Sequence, residues 1–187
     1  MPTNKIVIGI VGENSSGKTT MTNYICEKYD AVSFRFSDML GDMLKRIYLP
    51  PTRENLQNIS TALRNTFGED IMSKTLAKDM ISSEAMITIT EGIRRPSDIV
   101  ALKELPGFVL VAITADPKKR FDRLHGRNEK PDDATKTWEQ FTIDANHESE
   151  QKIKEIIAEA HITINNDGTK EELFAEIDTF LISLKNK

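Results

Sequence analysis

"KIVIGIVGENSSGKTTMTNYICEKY", residues 5–29, contains the reading on which the rest of the chain depends. Its first seven residues are β-branched, continuously apolar and closed by glycine, as a buried strand should be. A helix is expected from near Lys18 to about Tyr29. Between them Gly12, Gly17, Lys18 and Thr19 satisfy every fixed position of G-x-x-x-x-G-K-[ST]. The two glycines let the backbone turn its N–H groups inward around a phosphate with no Cβ in the way. Glu13, Asn14, Ser15 and Ser16 complete the loop, and Thr20 follows it. Lys18 would reach the β- and γ-phosphates of a bound nucleotide, the Thr19 hydroxyl would hold Mg²⁺, and the helix would aim its positive end at the same anion.

Composition narrows what such a loop can serve. The 187 residues, 39% hydrophobic and 29% charged, suit one soluble domain with one sizeable core. A net charge of −4 and a pI near 5.5 give no general electrostatic case for a polynucleotide or an anionic membrane. The lone Cys26 cannot form an internal disulfide, and the longest apolar runs fall far short of a membrane span. No room for a signal peptide precedes the first strand, so a cytoplasmic location is expected.

Beyond the loop, strands and helices alternate to the end. "AVSFRF" (31–36) reads as the second strand, with Ser37 placed to cap the helix "DMLGDMLKRIY". Pro50 and Pro51 stop that helix, Thr52 opens the next, and another follows Gly68. "AMITIT" (85–90), "GFVLVAIT" (107–114) and "HITIN" (161–165) supply three more strands. Helices are expected over "RRPSDIVALKEL", from Asp116-Pro117 through "KKRFDRLHGR", from about Thr135 to Ala160, and after the capping box Thr169–Glu172. The alternation predicts a single α/β domain over 1–187, a parallel sheet covered by helices on both faces.

A loop that binds phosphate could serve a switch GTPase, an ATPase or a kinase. No N-K-x-D stretch is present to read guanine, and Asp38–Gly41 matches only the two fixed positions of D-x-x-G. The acceptor side is read from "ITITEGIRRPSD". Glu91, at the tip of a strand, is placed to support the metal or the nucleophile, and Arg94 to grip an oxyanion bidentately. Arg64 is a second candidate clamp for the acceptor. Arg120, Arg123 and Arg127 share one helical face ahead of the polar "GRNEKPDDATKT", a candidate lid, with Arg123 and Arg127 taken as catalytic. Asp38 is either a catalytic base or an acid that complements its helix dipole. Trp138 and Phe141 are expected to pack rather than to stack on a base.

With these motifs in view, the whole chain resembles the P-loop kinases of small molecules: adenylate kinase and other nucleoside-monophosphate kinases, with dephospho-CoA kinase a close relative. "GIRRPSDI", "FVLVAITADPKKRFDRL" and "DDATKTWEQF" are similar to an archaeal group related to adenylate or dephospho-CoA kinase, and to phage-type deoxynucleoside-monophosphate kinases. The resemblance implies a five-stranded parallel sheet, an acceptor-binding helical region over about 38–84 and a lid over about 120–136. It implies ATP as donor with Mg²⁺, and a small phosphorylated acceptor, in a monomer or homodimer. Adenylate kinase has D-G-x-P-R where this chain has Glu91 and no proline before Arg94. A nucleoside or deoxynucleoside monophosphate is the preferred acceptor, because several clamps stand against one base. Dephospho-CoA is the alternative, and a nucleotide-binding regulator without transfer the second. The "NNDG" turn (165–168) resembles the place where this family cradles adenine.

Overall fold

The computed structural model describes residues 5–126, 135–146 and 148–185. Five strands, β1 (Ile6–Val11), β2 (Val32–Arg35), β3 (Ile87–Glu91), β4 (Phe108–Thr114) and β5 (Ile162–Asn165), lie in the order β2-β3-β1-β4-β5, and every pairing is parallel. All five carboxyl ends therefore share one edge, where ligands of open α/β sheets bind.

The strands alternate between two cores. On β4, Val111 and Ile113 pack with Ile8, Ile10 and Ile89 beneath α1 (Lys18–Tyr29) and α9 (Lys170–Lys185). Leu110 and Ala112 point to the opposite face. There they meet α2 (Phe36–Arg46), α4 (Ile71–Ser82) and α8 (Glu148–Ala158) through Leu40, Met72, Leu76, Ile153 and Ile156. Period-2 side-chain alternation on a sheet buried on both faces accounts for the near-continuous apolar strands.

Several expected boundaries shift, each for a local reason. β2 ends at Arg35 and α2 begins at Phe36, so Ser37 lies inside the first turn and does not cap it. Thr52 does cap α3 (Arg53–Phe67), accepting a hydrogen bond from the Asn55 N–H. The single helix expected after Pro96 is a 3₁₀ turn, Pro96–Asp98, followed by the four-residue α5 (Val100–Lys103). The Asp98 side chain draws the preceding amides into a turn there. Asp116 accepts from the Lys118 and Lys119 N–H groups and starts α6 (Pro117–His125). The long helix expected over 135–160 is two, α7 (Trp138–Ala145) and α8, with α7 capped at Asn146. The expected capping box forms at Thr169 and Glu172. No helix among the described residues is long and apolar enough to cross a membrane.

Candidate active site

The loop after β1 lies at the sheet's carboxyl edge between β3 and β4. A Cβ on Gly12 would overlap the Ile113 carbonyl oxygen, and Gly17 has φ 112, so both positions require glycine. Ser15 is also left-handed, with φ 60. The hydroxyls of Ser15 and Ser16 are buried without a hydrogen-bond partner among the described residues. Orphaned buried donors are uncommon, and here they line a loop built to surround an anion, which is the fit expected of a phosphate cradle. The Lys18 ammonium donates to the carbonyls of Gly12 (2.8 Å) and Glu13 (2.9 Å). Thr19 and Thr20 occupy the first turn of α1.

Glu91 reaches the loop from β3. Its Oε2 lies 3.5 Å from the hydroxyls of both Thr19 and Thr22. Its Oε1 pairs at 2.5 Å with Arg35, which the parallel register places directly across the β2–β3 ladder. Hydroxyl and carboxylate oxygens thus converge beside the loop, an all-oxygen donor set suited to Mg²⁺ with most of its shell left to water and phosphate. No cluster of three or more His, Cys, Asp or Glu side chains gathers among the described residues, so a multi-ligand metal cage is not offered.

On the β4 side, Arg120 is buried and turned toward the loop: it pairs with the Glu13 carboxylate at 3.1 Å and donates to the Asn14 and Ala115 carbonyls. Arg123 donates through Nη2 to the Asn166 carbonyl at 2.7 Å, while its Nη1 is buried without a partner among the described residues. Asn166 in turn donates to the Ser16 carbonyl at 2.8 Å. The turn after β5 is fastened to α6 by the Asp116 N–H on the Asp167 carboxylate (2.6 Å) and by Lys119 on the Asp167 carbonyl. The Asp116 N–H and the Asn165 amide hold the Asp167 carboxyl below the usual carboxylate range. The "NNDG" turn therefore adjoins the phosphate loop. Arg127 and lid residues 127–134 lie outside the described residues. Phe121, Trp138 and Phe141 pack on one another with ring centroids 5.3–5.7 Å apart, in keeping with the packing expected of them.

The acceptor side departs from expectation at Arg64. Its side chain is 6% exposed; Nη2 pairs with Asp98 at 2.8 Å and Nη1 donates to the Glu69 carbonyl and the Ser97 hydroxyl. Both terminal nitrogens are thus spent inside the fold, and Nε is buried without a partner among the described residues, so the expected bidentate grip would require Arg64 to give up these bonds. Arg94 is exposed, on a turn whose Gly92 takes φ 87. Asp38 sits in the first turn of α2, where it complements the helix dipole. It also lines a cleft of about 840 Å³ that runs from Ser37 and Asp42 to Tyr48, Leu49 and Pro51. Arg35 and Asp98 were not candidates from sequence, and Asn166 was singled out only as part of the "NNDG" turn. Their partners lie across strands or far along the chain, and only the register of β2 on β3 could have pointed to Arg35.

The loop and the sheet together give the chain a P-loop kinase-like fold, a five-stranded parallel sheet flanked by helices. The chain belongs to the AAA domain family, matched over residues 11–142, and to the UPF0200 proteins, being 30% identical to that of Methanoregula boonei over 182 residues, 97% of this chain and 98% of the relative. The UPF0200 protein of Hyperthermus butylicus is 27% identical over 180 residues, 96% and 95% of the two chains. Among solved structures, shikimate kinase from Bacteroides thetaiotaomicron is similar, with a TM-score of 0.63 at 14% identity, covering 95% of this chain and 98% of that one. So is shikimate kinase from Acinetobacter baumannii in complex with shikimate, at TM-score 0.56 and 17% identity, covering 99% and 97%. At such identities the structural likeness establishes the fold alone.

Proposed function

We propose that this protein transfers the γ-phosphoryl group of ATP to a small acceptor, with a nucleoside or deoxynucleoside monophosphate as the first choice. The observation that carries the reading is the meeting of the Gly12–Thr19 loop, with its orphaned Ser15 and Ser16 hydroxyls, and the Glu91 carboxylate at adjoining strand ends. In this reading the loop amides and Lys18 hold the triphosphate, Lys18 exchanging its two loop carbonyls for phosphate oxygens. Thr19 and Glu91 would hold Mg²⁺, which when bound neutralises charge on the transferring group. Arg123, through its Nη1, which has no partner among the described residues, and Arg127 would meet charge on the phosphates as the lid closes. Arg94 would grip the acceptor.

An acceptor oxygen forms a bond to the γ-phosphorus while the bond from that phosphorus to the β–γ bridging oxygen breaks, and ADP leaves. A monophosphate acceptor is largely ionised at neutral pH, its second pKa being about 6, so no base is required. A hydroxyl acceptor must lose a proton, and the exposed Asp38 carboxylate is the group available to take it. Two observations favour this second reading, of the dephospho-CoA kind: Arg64 is withdrawn from the clamp, and Asp38 lines the α2 cleft. The test is product identity with ATP and Mg²⁺ across ribo- and deoxynucleoside monophosphates and dephospho-CoA. Formation of one nucleoside diphosphate supports the first reading, and phosphorylation of dephospho-CoA alone supports the second. Hydrolysis that no acceptor stimulates and that substitution of Arg94 leaves unchanged would favour a nucleotide-binding regulator.

A further inference from the structure

The clasp at Asp98 uses both of its carboxylate oxygens, and each faces a different part of the molecule. Oδ2 accepts the main-chain N–H groups of Arg94 (2.9 Å) and Arg95 (3.0 Å). Oδ1 accepts Nη2 of Arg64 at 2.8 Å. Asp98 is 3% exposed and Arg64 6%, so both charges are taken out of water and each is compensated chiefly by the other. Arg64 lies in the last turn of α3. Its Nη1 also holds the Glu69 carbonyl (2.6 Å), in the turn that leads to α4, and the Ser97 hydroxyl (3.2 Å). One buried ion pair therefore ties the end of α3 to the turn that follows Glu91. Within that turn Ile93 is anchored in the core and Arg94 is exposed, making no ion pair among the described residues.

We propose that Asp98 and Arg64 are positioning residues, a buried pair that fixes the Arg94 main chain so that its guanidinium faces the acceptor, and that links the place of α3 to the place of that guanidinium. The inference rests on the kinase reading for what Arg94 grips, and on the distances alone for what holds Arg94. Arg64 acts through Asp98 and not on the acceptor. This accounts for a guanidinium in the acceptor region whose terminal nitrogens are spent inside the fold. The same carboxylate caps the start of the 3₁₀ turn, accepting the Arg95 N–H as an acid at the third helical position does.

The test uses the full-length protein and its Asp98→Asn, Arg64→Met, Arg64→Lys and Arg64→Met/Asp98→Asn variants. Amide hydrogen exchange is followed residue by residue. Asparagine keeps the shape of Asp98 but removes its charge and sets an NH₂ donor against one of its two sets of donors, so the bonds to the Arg94 and Arg95 amides weaken whichever way the side chain turns. Exchange at the Arg94 and Arg95 amides should rise about tenfold or more in Asp98→Asn and Arg64→Met, the scale of one charge-assisted hydrogen bond, while the Ile87–Thr90 amides hold steady. Unchanged exchange at those two amides, or an equal rise through β3, would overturn the positioning role.

The second arm measures KM and kcat on whichever acceptor of the monophosphate and dephospho-CoA panel is phosphorylated. Both single variants should raise KM for the acceptor or lower kcat by about tenfold, with KM for ATP unchanged. Arg64→Lys should restore part of the loss, and the double variant should be no worse than either single one, as expected of groups that act as a unit. A loss in Arg64→Met with none in Asp98→Asn would instead make Arg64 a direct clamp and overturn the proposal. Failure of the wild type to phosphorylate any acceptor would sink the kinase reading and the acceptor half of this inference, and the exchange arm would still decide whether the pair holds Arg94.

Discussion

Lys18 spends its ammonium on two carbonyls of its own loop, so a nucleotide must offer it better partners than Gly12 and Glu13 do. Phosphate oxygens are better because they carry charge. Lys18→Ala should therefore cut phosphoryl transfer by about 10²–10³, the effect of removing one preorganised donor from developing charge, without lowering the melting temperature. Full activity in that variant would remove the lysine from the chemistry. Gly12 makes a sharper steric prediction. Its missing side chain faces the Ile113 carbonyl oxygen and the Ser16 hydroxyl, and neither position has room for a methyl group. Gly12→Ala should cost about 1–3 kcal/mol of stability through overpacking and should abolish ATP binding by calorimetry. A variant with unchanged melting temperature and affinity would show that the loop relaxes freely.

At the scale of elements, α1 and α9 are joined on the face away from the loop by Asp178. It accepts the hydroxyls of Tyr24 (2.8 Å) and Tyr29 (2.7 Å) and pairs with Lys28 at 2.7 Å. Desolvation pushes the Asp178 carboxyl up, but the hydrogen bonds from Lys28, Tyr29 and Tyr24 together outweigh it and hold the group below its ordinary value. Desolvation first, and then the bond to Asp178, push the Tyr29 phenol up to about 12. A carboxyl lowered by folding contributes stability above its unfolded pKa, about 3.9, which is lost as pH falls through the folded value. A phenol raised by folding contributes stability below about 10, which is lost as pH climbs from there toward about 12. Urea midpoints should thus decline at both ends of the pH range, and Asp178→Asn should flatten both declines. Identical profiles in the two proteins would contradict this account of the α1–α9 junction.

Elements were the most legible part of the sequence. β-branched runs ending in glycine, Thr52 and Asp116 at helix starts, and the Thr169–Glu172 box all report local chemistry, and all form as expected. Errors arose where side chains from elsewhere intervene. The segment after Pro96 divides into a 3₁₀ turn and the short α5, and Asp98 in that turn pairs with Arg64, 34 residues away. The apparent helix over 135–160 bridges a polar middle that periodicity cannot distinguish from an exposed face. In the candidate site the glycine loop was legible because its residues are contiguous. For Arg64 the charge is written in the sequence, whereas its burial and its pairing with Asp98 are not.

At the scale of the whole molecule, parallel strands bring residues of distant sequence to one edge: the loop after β1, Glu91 at the end of β3, Asp116 after β4 and Asn166 after β5. The topology explains why a chain with net charge −4 can still gather Arg94, Arg120 and Arg123 at that edge. The most direct measurement follows a label on the γ-phosphorus of ATP, with Mg²⁺ and the acceptor panel present, and asks where it goes. The prediction is label on one acceptor, well above label released to water, and at least about a hundredfold less on it with Lys18→Ala. Label found only in free phosphate, whatever acceptor is supplied, would contradict phosphoryl transfer and leave a nucleotide-binding protein that hydrolyses without transferring.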